Sequence, residues 1–393
     1  MHSAIHIWPE AVRIVDGRVR REARIERSGL SPFTVWYEGP EALLPHVAAQ
    51  DDAFLLAGIY QGMTRGEAIH LHGTVSSGLL GNLDEFIAAW SDLKPDTYRR
   101  VDVMADEERS ASPLPTGAIS AFTGGVDSAF TLWRNARLPH RTTPITAALF
   151  VHGFDIPLTQ PGVYARAAAR VGHMTSSLGI PLFTVATNYR ALEDDWRDTH
   201  GLGVTSALIQ FGARHRQGRI PSTHAYAELR IPFGSNPLTD PLLSSERFLL
   251  RYDGATHRRT DKIAALAEWP EAMHHLRVCW AGPHLDRNCG ACRKCVGTAI
   301  CFAAMGLSLP PALPIPDLAA AIRALSGEPM NPYGMRRIAD AVRIAREQGR
   351  IAPWIEAAET WIQRSTPIPT TKPDAAPLPG WMARWRARRG GTA

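Results

Sequence analysis

The sequence predicts an α/β protein with a doubly wound parallel sheet, because strand-like and helix-like segments alternate through its middle part. Residues 117–122 form a strand-like run that enters a Gly-Gly turn, and a helix-like run, 127–136, leaves this turn. Residues 144–151 and 182–186 are continuous apolar runs, as in strands that a parallel sheet buries on both faces. A helical pattern over 164–178 separates these two runs and completes the β-α-β order.

The chain of 393 residues is longer than one ordinary domain, so we expect at least two. Residues 1–110 have the pattern of an N-terminal α+β module, and the polar, Pro-rich residues 106–116 are interpreted as a linker. The predicted core spans 115–305, followed by a helical extension over 306–365. A flexible basic tail is expected over 366–393, where Pro and Thr precede Trp and Arg residues.

Several short elements are predicted in the N-terminal module. Residues 79–93 carry apolar residues at helical spacing, and residues 53–60 form an apolar run that fits either a strand or a helix. His70 and His72 lie on the same side of one of the expected strands, but without a third ligand we interpret them as ordinary strand residues. Partial alternation predicts strands at 4–8, 21–25, 33–37 and 68–73.

The composition is that of an ordinary globular protein and predicts no association with a membrane. Hydrophobic residues make up 45% of the chain, and no apolar run approaches the roughly 18–20 residues of a membrane span. The formal charge of +5 permits an anionic ligand without requiring a nucleic acid. The N-terminus does not resemble a secretory signal, so a cytoplasmic location is expected. A homodimer is the expected assembly.

The segment Thr123-Gly-Gly-Val-Asp-Ser128 has the features of an anion-binding loop. Its glycines let the backbone approach a ligand, and the first N–H groups of the following helix point towards it. No Gly-Lys-Ser/Thr follows, which excludes a Walker A loop, and no third glycine completes a dinucleotide fingerprint. Thr123 and Ser128 offer hydroxyl groups to a phosphate. Asp127 either shares a Mg²⁺ ion with the phosphates or simply caps the helix.

All five cysteines lie in one window near the end of the predicted core. Four of them have the spacing of a tetrahedral zinc site, with Gly290 easing the tight Cys-x2-Cys turn. A disulfide framework is not expected in this setting, although reduced structural cysteines or a redox pair remain alternatives. Cys301 follows in an apolar helical run and is interpreted as a buried thiol. The predicted zinc ligands are Cys279, Cys289, Cys292 and Cys295.

The loop resembles the signature of the PP-loop ATP pyrophosphatases, Ser-Gly-Gly-x-Asp-Ser, from which this chain departs by having Thr at the first position. The resemblance implies a Rossmann-like core that binds ATP with Mg²⁺ and releases pyrophosphate. The implied catalytic residues are Asp127 and Ser128. The end of the second core strand is implied to contact adenine. The implied ATP-binding residues are Phe122, Thr123, Gly124, Gly125, Val126, Asp127, Ser128, Phe150 and Val151.

Together, the loop and the later cysteine pattern resemble the 7-cyano-7-deazaguanine synthases over roughly residues 115–305. The resemblance implies a structural zinc ion near the substrate pocket. It also implies that Lys262, in a turn before a helix, is a further catalytic residue that contacts a phosphate or the adenylate. The acidic residue that usually follows this lysine in the family is missing here. A solvated lysine at a helix start is the alternative interpretation of Lys262.

The resemblance implies an ATP-dependent ligase that forms a C–N bond. A small carboxylate, such as a deazaguanine, is adenylated with release of pyrophosphate, and ammonia or another amine then displaces AMP. Diverged relatives occur in anti-phage operons, which implies a defence role and a protein as acceptor. Two alternatives stay open: an inactive nucleotide-binding subunit, and a PP-loop enzyme that modifies tRNA.

Some polar residues near the predicted strand ends have two interpretations. His152 and Asp155 follow the strand at 144–151, where they either contact a ligand or cap and turn the chain. Ser235, Asn236 and Asp240 lie in a loop rich in Gly and Pro. They either bind the edge of a heterocycle or stabilise the loop's own turns.

Overall fold

The protein is described by a computed structural model. Residues 366–393, for which we predicted a flexible basic tail, lie outside the described residues. The structure describes residues 4–41, 51–110, 115–137, 143–192, 195–279, 282–326, 330 and 332–365.

The fold is α/β, with one mostly parallel sheet. Its strand order is β11-β10-β7-β8-β9-β4-β3-β1-β5-β6, and β2 pairs with β3. The strands are β1 (Ala4–Pro9), β2 (Arg13–Val15), β3 (Arg18–Glu26), β4 (Phe33–Gly39), β5 (Ala68–Ser76), β6 (Val103–Arg109), β7 (Ala118–Ala121), β8 (Ile145–His152), β9 (Leu182–Thr187), β10 (Gln217–Pro221) and β11 (Leu249–Asp253).

The described residues contain eleven α-helices, and they include every helix predicted from the periodicity of the sequence. The helices are α1 (Asp52–Arg65), α2 (Ser77–Leu93), α3 (Val126–Arg137), α4 (Pro161–Ser177), α5 (Trp196–Ile209), α6 (Arg259–Leu266), α7 (Pro270–His275), α8 (Arg293–Ala304), α9 (Leu318–Ala324), α10 (Pro332–Glu347) and α11 (Pro353–Arg364).

The half of the sheet from β9 to β11 is fully parallel and is wound in two directions. The chain runs from β7 outwards through β8 to β9, and then crosses back to place β10 and β11 on the other side of β7. The direction of winding therefore reverses between β7 and β10. In open α/β sheets, ligands bind beyond the carboxyl ends of the strands at such a reversal.

The N-terminal segment extends this same sheet, although we had expected it to form a module of its own. Strand β4 pairs antiparallel with β9, with Tyr37 opposite Thr187. Beyond β4, the strands β3, β1, β5 and β6 continue the sheet. The apolar run at 53–60, which fitted either a strand or a helix, belongs to α1.

The interpretation of 106–116 as a linker is wrong over residues 106–109, which belong to β6. This strand lies at the edge of the sheet and pairs only with β5. Five of its seven positions are exposed and none is buried, which agrees with its polar and charged sequence. Charged edge strands are common because they discourage pairing with other chains. Here the charged residues left no alternation of apolar and polar positions from which the strand could be predicted.

Each face of the sheet carries its own hydrophobic core. One core joins the inner face of the parallel half to α3, α4 and the helices from α6 to α11. The other core joins α1, α2 and α5 to strands of both halves, including Ile7 of β1 and Val185 of β9. Two layers of helices thus flank the sheet, and the second core runs across the junction between its halves.

Candidate functional site

The sharp turn between β7 and α3, which we call the glycine loop (residues 122–128), matches the strand–loop–helix geometry expected from the sequence. Gly124 has φ of +74°, and a Cβ atom there would lie 2.6 Å from Cγ1 of Val171 on α4. Both the backbone angle and the close packing therefore require glycine at this position. The turn directs the N-terminal N–H groups of α3 towards the carboxyl ends of the strands.

The two hydroxyl groups of the glycine loop are joined in one hydrogen-bond network. The backbone N–H of Thr123 donates to Oγ of Ser128 at 3.2 Å, and Ser128 Oγ donates to the carbonyl of Gly125 at 3.1 Å. The Oγ1 atom of Thr123 accepts from the N–H of Gly125 at 3.4 Å and lies 3.5 Å from Ser128 Oγ. Thr123 is exposed, so its hydroxyl is available to a ligand.

Asp127 is held between two cationic side chains of α6. Arg259 donates to its Oδ2 at 2.6 Å, and Lys262 donates to its Oδ1 at 2.8 Å. Burial alone would raise the pKa of Asp127, but the charges of Lys262 and then Arg259 outweigh it and hold this pKa far below its usual range. Asp127 lies inside the first turn of α3, which begins at Val126, so it is not the capping residue.

Lys262 is not a solvated lysine at a helix start, which was the alternative interpretation. Its side chain is buried, and its ammonium group also donates to the carbonyl and the hydroxyl of Ser222 at 2.6 and 3.0 Å. Ser222 follows the end of β10. Lys262 therefore ties together the two strand ends, β7 and β10, between which the direction of winding reverses.

A pocket of about 220 Å³ opens at this reversal point, beyond the ends of β7 and β10. The glycine loop forms one wall, and Ile220, Pro221 and Thr223 form another. Three cationic residues reach the pocket from other elements: Arg259 from α6, Arg277 from the segment after α7, and Lys294 from α8. A pocket with this excess of cations favours a polyanionic ligand.

Arg277 ties the glycine loop to the segment that carries the cysteines. Its backbone N–H donates to the carbonyl of Gly124 at 2.8 Å, and its guanidinium donates to the carbonyls of Thr123 and Leu285 at 3.3 and 2.6 Å. The Nη1 atom of Arg277 lies 3.7 Å from Oδ2 of Asp155, which also lines the pocket. Asp155 was interpreted either as a ligand contact or as a residue that turns the chain, and the structure places it at the pocket.

Lys294 of α8 lines the pocket. Desolvation by the surrounding protein, followed by the positive charge of Arg259, lowers the pKa of Lys294 to about 8. Its ammonium group is therefore more easily deprotonated than that of an ordinary lysine, first because of desolvation and then because of the nearby cations. A polyanion in the pocket would relieve this repulsion.

Three of the candidate ATP-binding residues lie near the site but are packed into the protein. Phe122 and Phe150 are buried in the core that contains α3 and α4, and Val151 is partly buried against the core on the other face of the sheet. The carbonyl of Phe150 accepts a hydrogen bond from Tyr164 at 2.7 Å, and the two rings stack at 4.9 Å. These residues shape the strand end, while Thr123, Gly125, Val126, Asp127 and Ser128 line the pocket itself.

The structure places His152 at the end of β8, next to the turn that follows. Its Nε2 atom lies 2.9 Å from the carbonyl oxygen of Pro157, and its ring stacks on Tyr164 at 4.4 Å. Burial lowers the pKa of this histidine. These contacts agree with the interpretation that His152 shapes the turn.

Most polar groups of the 235–240 loop are engaged within the loop. Asn236 bonds the loop's own backbone, and the buried carboxyl group of Asp240 accepts from Ser235 at 2.6 Å and from the N–H of Asn236 at 3.0 Å. Burial raises the pKa of Asp240 to about 7. Asn236 and Asp240 thus stabilise turns, and Ser235 alone of these three residues lines the pocket.

The four predicted zinc ligands lie together and form a group that we call the cysteine cluster. The Sγ atom of Cys279 lies 3.6 Å from that of Cys289 and 3.7 Å from that of Cys292, and Cys295 lies 3.9 and 3.6 Å from the same two atoms. With Zn–S distances of about 2.3 Å, the sulfur atoms of a tetrahedral site lie about 3.8 Å apart. The cluster therefore fits a zinc ion.

Three cysteines of the cluster lie in the segment before α8 and the fourth lies in the first turn of α8. The cluster borders the pocket. Gly290 has φ of +75°, and a Cβ atom there would meet the carbonyl oxygen of Pro314 at 2.5 Å. The amide oxygen of Asn288 accepts from the N–H groups of Val278 and Cys279, which fixes the backbone at the first cysteine. Cys279 is also on the pocket wall. Cys301 is a buried thiol in α8, as expected from the sequence.

Reasoning from the sequence missed several cationic and aromatic residues of the site. Arg259 and Arg277 had no motif to mark them, although Arg259 precedes Lys262 by one helical turn. Tyr333 of α10 donates to the carbonyl of Thr223 at 3.1 Å, and the guanidinium of Arg337 lies over its ring. The predicted helical extension therefore closes one side of the site, a role that only the folded arrangement reveals.

Comparison of the chain with protein-family models, curated proteins and solved structures finds no match. In the part of the chain that the structure describes, none of the helices is both long enough and apolar enough to cross a membrane.

Proposed function

We propose that this protein is an ATP-dependent, adenylate-forming ligase that resembles the 7-cyano-7-deazaguanine synthases. One observation carries the proposal. A glycine loop with two hydroxyl groups and a carboxylate lies at the reversal point of a doubly wound sheet, and cationic side chains and the cysteine cluster surround it. A PP-loop fold would have this arrangement of parts.

The residues of the pocket suit the polyphosphate of ATP. The N–H groups at the start of α3 and the hydroxyls of Thr123 and Ser128 are donors for phosphate oxygens. Arg259, Lys262 and Arg277 supply positive charge from the opposite walls. In the absence of ligand, Arg259 and Lys262 bind Asp127, which keeps both cations beside the loop.

The carboxylate of Asp127 is a hard oxygen ligand of the kind that Mg²⁺ prefers, and no other acidic side chain belongs to the glycine loop. Bound there with ATP, the ion would neutralise charge on the phosphates. For this to occur, Arg259 and Lys262 must exchange Asp127 for phosphate oxygens, which bear more negative charge than one carboxylate. The cysteine cluster holds Zn²⁺ in a structural role in this proposal.

The proposed reaction has two steps. An oxygen of a small carboxylate, of the deazaguanine type, attacks the α-phosphorus of ATP, and the bond to pyrophosphate breaks. Ammonia or an amine of a larger acceptor then attacks the carbonyl carbon of the adenylate and displaces AMP. The contribution of the protein is to position the phosphates and to stabilise the charge that builds up on the departing pyrophosphate.

The test is release of pyrophosphate and AMP from ATP in the presence of Mg²⁺, ammonia and a 7-deazaguanine carboxylate. We expect the natural chain to release both, and Asp127→Asn to lower the rate by about 100-fold or more, since it removes one charged group from the site. Asp92→Asn is the matched control, because Asp92 is an exposed residue of α2. Equal rates for the two variants would contradict the role of Asp127.

A nucleotide-binding subunit without chemistry is the second candidate, and the engagement of Asp127 favours it. Both oxygen atoms of this carboxylate are bonded to cations, and a protein that never binds Mg²⁺ could keep them so. ATP binding measured by calorimetry, without release of pyrophosphate on addition of any deazaguanine carboxylate, would favour this candidate over the ligase.

A further inference from the structure

Three histidines meet on the open face of the N-terminal half of the sheet, far from the glycine loop in the strand order. The parallel pairing of β1 with β5 places His6 beside His70, and His72 follows on the same face of β5. The opposite face of these strands carries Ile7 and Leu71, which pack under α1 and α2. We call His6, His70 and His72 the histidine cluster.

The ring nitrogens of the histidine cluster converge. One nitrogen from each of the three rings lies within 4.8 Å of the other two, and Nδ1 of His6 lies 2.9 Å from Nε2 of His72. A tetrahedral ion with Zn–N distances of about 2.0–2.1 Å needs its nitrogen ligands about 3.3 Å apart. Binding of one ion by all three therefore requires the imidazole rings to rotate until the three nitrogens are evenly spaced around it.

A carboxylate on the neighbouring strand orients two of these rings. Asp106 of β6 lies 2.7 Å from Nε2 of His70 and 3.3 Å from Nδ1 of His72. These contacts leave Nδ1 of His70 and Nε2 of His72 for other partners. A carboxylate that binds the outer nitrogen of a metal-ligating histidine fixes its tautomer and makes it a stronger ligand.

The ring of His72 is held further by Trp8 of β1. The two rings stack with centroids 3.5 Å apart and planes within 7°. All three histidines are partly exposed, so an ion can reach them from solvent. The cluster lies on two paired strands, β1 and β5, and Asp106 lies on the next strand, β6, so the sheet gives it a rigid frame.

We propose that the histidine cluster binds a divalent transition-metal ion, with Zn²⁺ as the reference ion, through three imidazole nitrogens. Asp106 is the positioning residue of this site, and a fourth coordination position is left for water or for a group of a ligand. Imidazole ligands suit zinc and its neighbours, whereas calcium and magnesium require oxygen. The site is independent of the cysteine cluster and does not rest on the proposed ligase activity.

The test is a cobalt titration of the untagged full-length chain with zinc retained in the cysteine cluster, followed by optical spectroscopy and metal analysis. Co²⁺ bound to imidazoles gives weak visible bands, whereas Co²⁺ bound to thiolates adds strong charge-transfer bands in the near ultraviolet. We expect one equivalent of Co²⁺ with only the weak bands, and we expect Zn²⁺ to displace it.

The variants separate a metal site from a mere cluster of hydrogen-bonded histidines. His72→Ala should lose the added equivalent, and Asp106→Asn should bind it about 10–100-fold more weakly. His173→Ala is the matched control, because His173 stacks with His275 at 4.8 Å but belongs to neither potential metal-binding group of the described residues. This variant should bind as the natural chain does.

Thermal unfolding provides a second readout that does not depend on spectra. Added Zn²⁺ should raise the unfolding temperature of the natural chain and of His173→Ala, but not that of His72→Ala. The proposal would be overturned if the natural chain bound no ion beyond the zinc of the cysteine cluster, or if His72→Ala bound the added ion equally well. In that case Asp106, His72 and His6 form only a chain of hydrogen bonds. Should His72→Ala fail to fold, Asp106→Asn decides the matter.

Discussion

Thr123 is the one position at which the glycine loop departs from the signature of the family it resembles, and its hydroxyl already takes part in the loop's network. Its Oγ1 atom accepts from the N–H of Gly125, while the side chain faces the pocket. Threonine keeps the donor and acceptor of serine and adds one methyl group. The structure gives this methyl group room, because Thr123 is exposed.

We therefore predict that Thr123→Ser retains the release of pyrophosphate within about threefold, whereas Thr123→Val lowers it by about 10–100-fold. Valine has the shape of threonine without the hydroxyl, so the loss measures one hydrogen bond to a phosphate in the transition state. Steady-state release of pyrophosphate from ATP checks both variants. Equal activity of the valine variant would remove the hydroxyl from the mechanism.

His224 predicts a pH dependence of stability near the same site. It is buried between the rings of Phe233 and Tyr333, and its Nδ1 atom has no hydrogen-bond partner among the described residues. Burial, and then the positive charge of Arg337, lowers the pKa of His224 to about 4. In the unfolded chain this pKa is about 6.5, so unfolding takes up a proton between these two values.

The contribution of His224 is therefore fully present above about pH 6.5 and is lost as the pH falls to about 4. At about 1.4 kcal/mol per pKa unit, the loss is about 3 kcal/mol. His224→Phe should flatten the pH dependence of the free energy of unfolding in this window, as measured by chemical denaturation. His274→Phe, at an exposed position on α7, should leave the pH dependence unchanged. The same slope in both variants would contradict the prediction.

Single residues were predictable from the sequence where a local motif marked them. The glycine loop and the four cysteines are contiguous patterns, and the structure brings each of them together. Arg259 and Arg277 were not predictable, because an arginine in a charged stretch looks the same whether it faces solvent or a carboxylate. His6 was missed for a different reason: it joins His70 only through the pairing of β1 with β5.

At the scale of an element, we expect the segment from Arg277 to α8 to depend on the cysteine cluster for its order. The described part of this segment has no regular secondary structure between α7 and α8, and it also carries the pocket residues Arg277 and Cys279. A structural zinc site contributes about 10 kcal/mol or more of folding free energy. A zinc ion in the cysteine cluster, as proposed, would therefore add to the hydrophobic core around Val278 and Cys295 in fixing this wall of the pocket.

We predict that Cys292→Ser loses tightly bound zinc and lowers the unfolding temperature, while Cys301→Ala keeps the zinc. Cys301 is a buried thiol outside the cluster, so its loss costs packing only. Metal analysis of the two purified variants checks the prediction, and affinity for ATP provides a second readout. Zinc in equal amounts in both variants would show that the metal binds elsewhere.

Elements with a clear hydrophobic periodicity were predictable from the sequence, whereas a largely buried helix and an edge strand were not. The helix expected at 79–93 is α2, whereas the run at 53–60 fitted two states because α1 is buried over most of its surface. A helix buried on several sides loses the amphipathic period that distinguishes it from a strand. Strand β6 was missed because an edge strand has few buried positions.

At the scale of the whole molecule, the junction between the two halves of the sheet was not predictable from the sequence. It rests on contacts between residues far apart in the chain. The Tyr37 hydroxyl of β4 donates to Ser206 of α5 at 2.7 Å, and Arg21 of β3 donates to Gln210 at 2.6 Å. The carboxylate of Asp198 on α5 also contacts the ammonium group of Lys94 and accepts a hydrogen bond from Tyr98, both of which follow α2. No local pattern encodes these pairs.

These contacts predict that both halves of the sheet unfold as one cooperative unit. Tyr37 is fully buried in the core that spans the junction, so Tyr37→Ala should lower the free energy of unfolding by about 3–5 kcal/mol. Ile14 is 71% exposed on β2, which makes Ile14→Ala the matched control with little effect.

Hydrogen exchange followed by mass spectrometry distinguishes one unit from two. Amides that exchange only by global opening should lose the same protection in β1 and β5 as in β7 and β8 when Tyr37 is replaced. A loss confined to β1 and β5 would mean that the N-terminal half opens alone. Because β4 pairs with β9 in the interior of the sheet and the second hydrophobic core crosses the same line, opening either half exposes apolar surface of the other. That shared surface is the physical reason to expect a single transition.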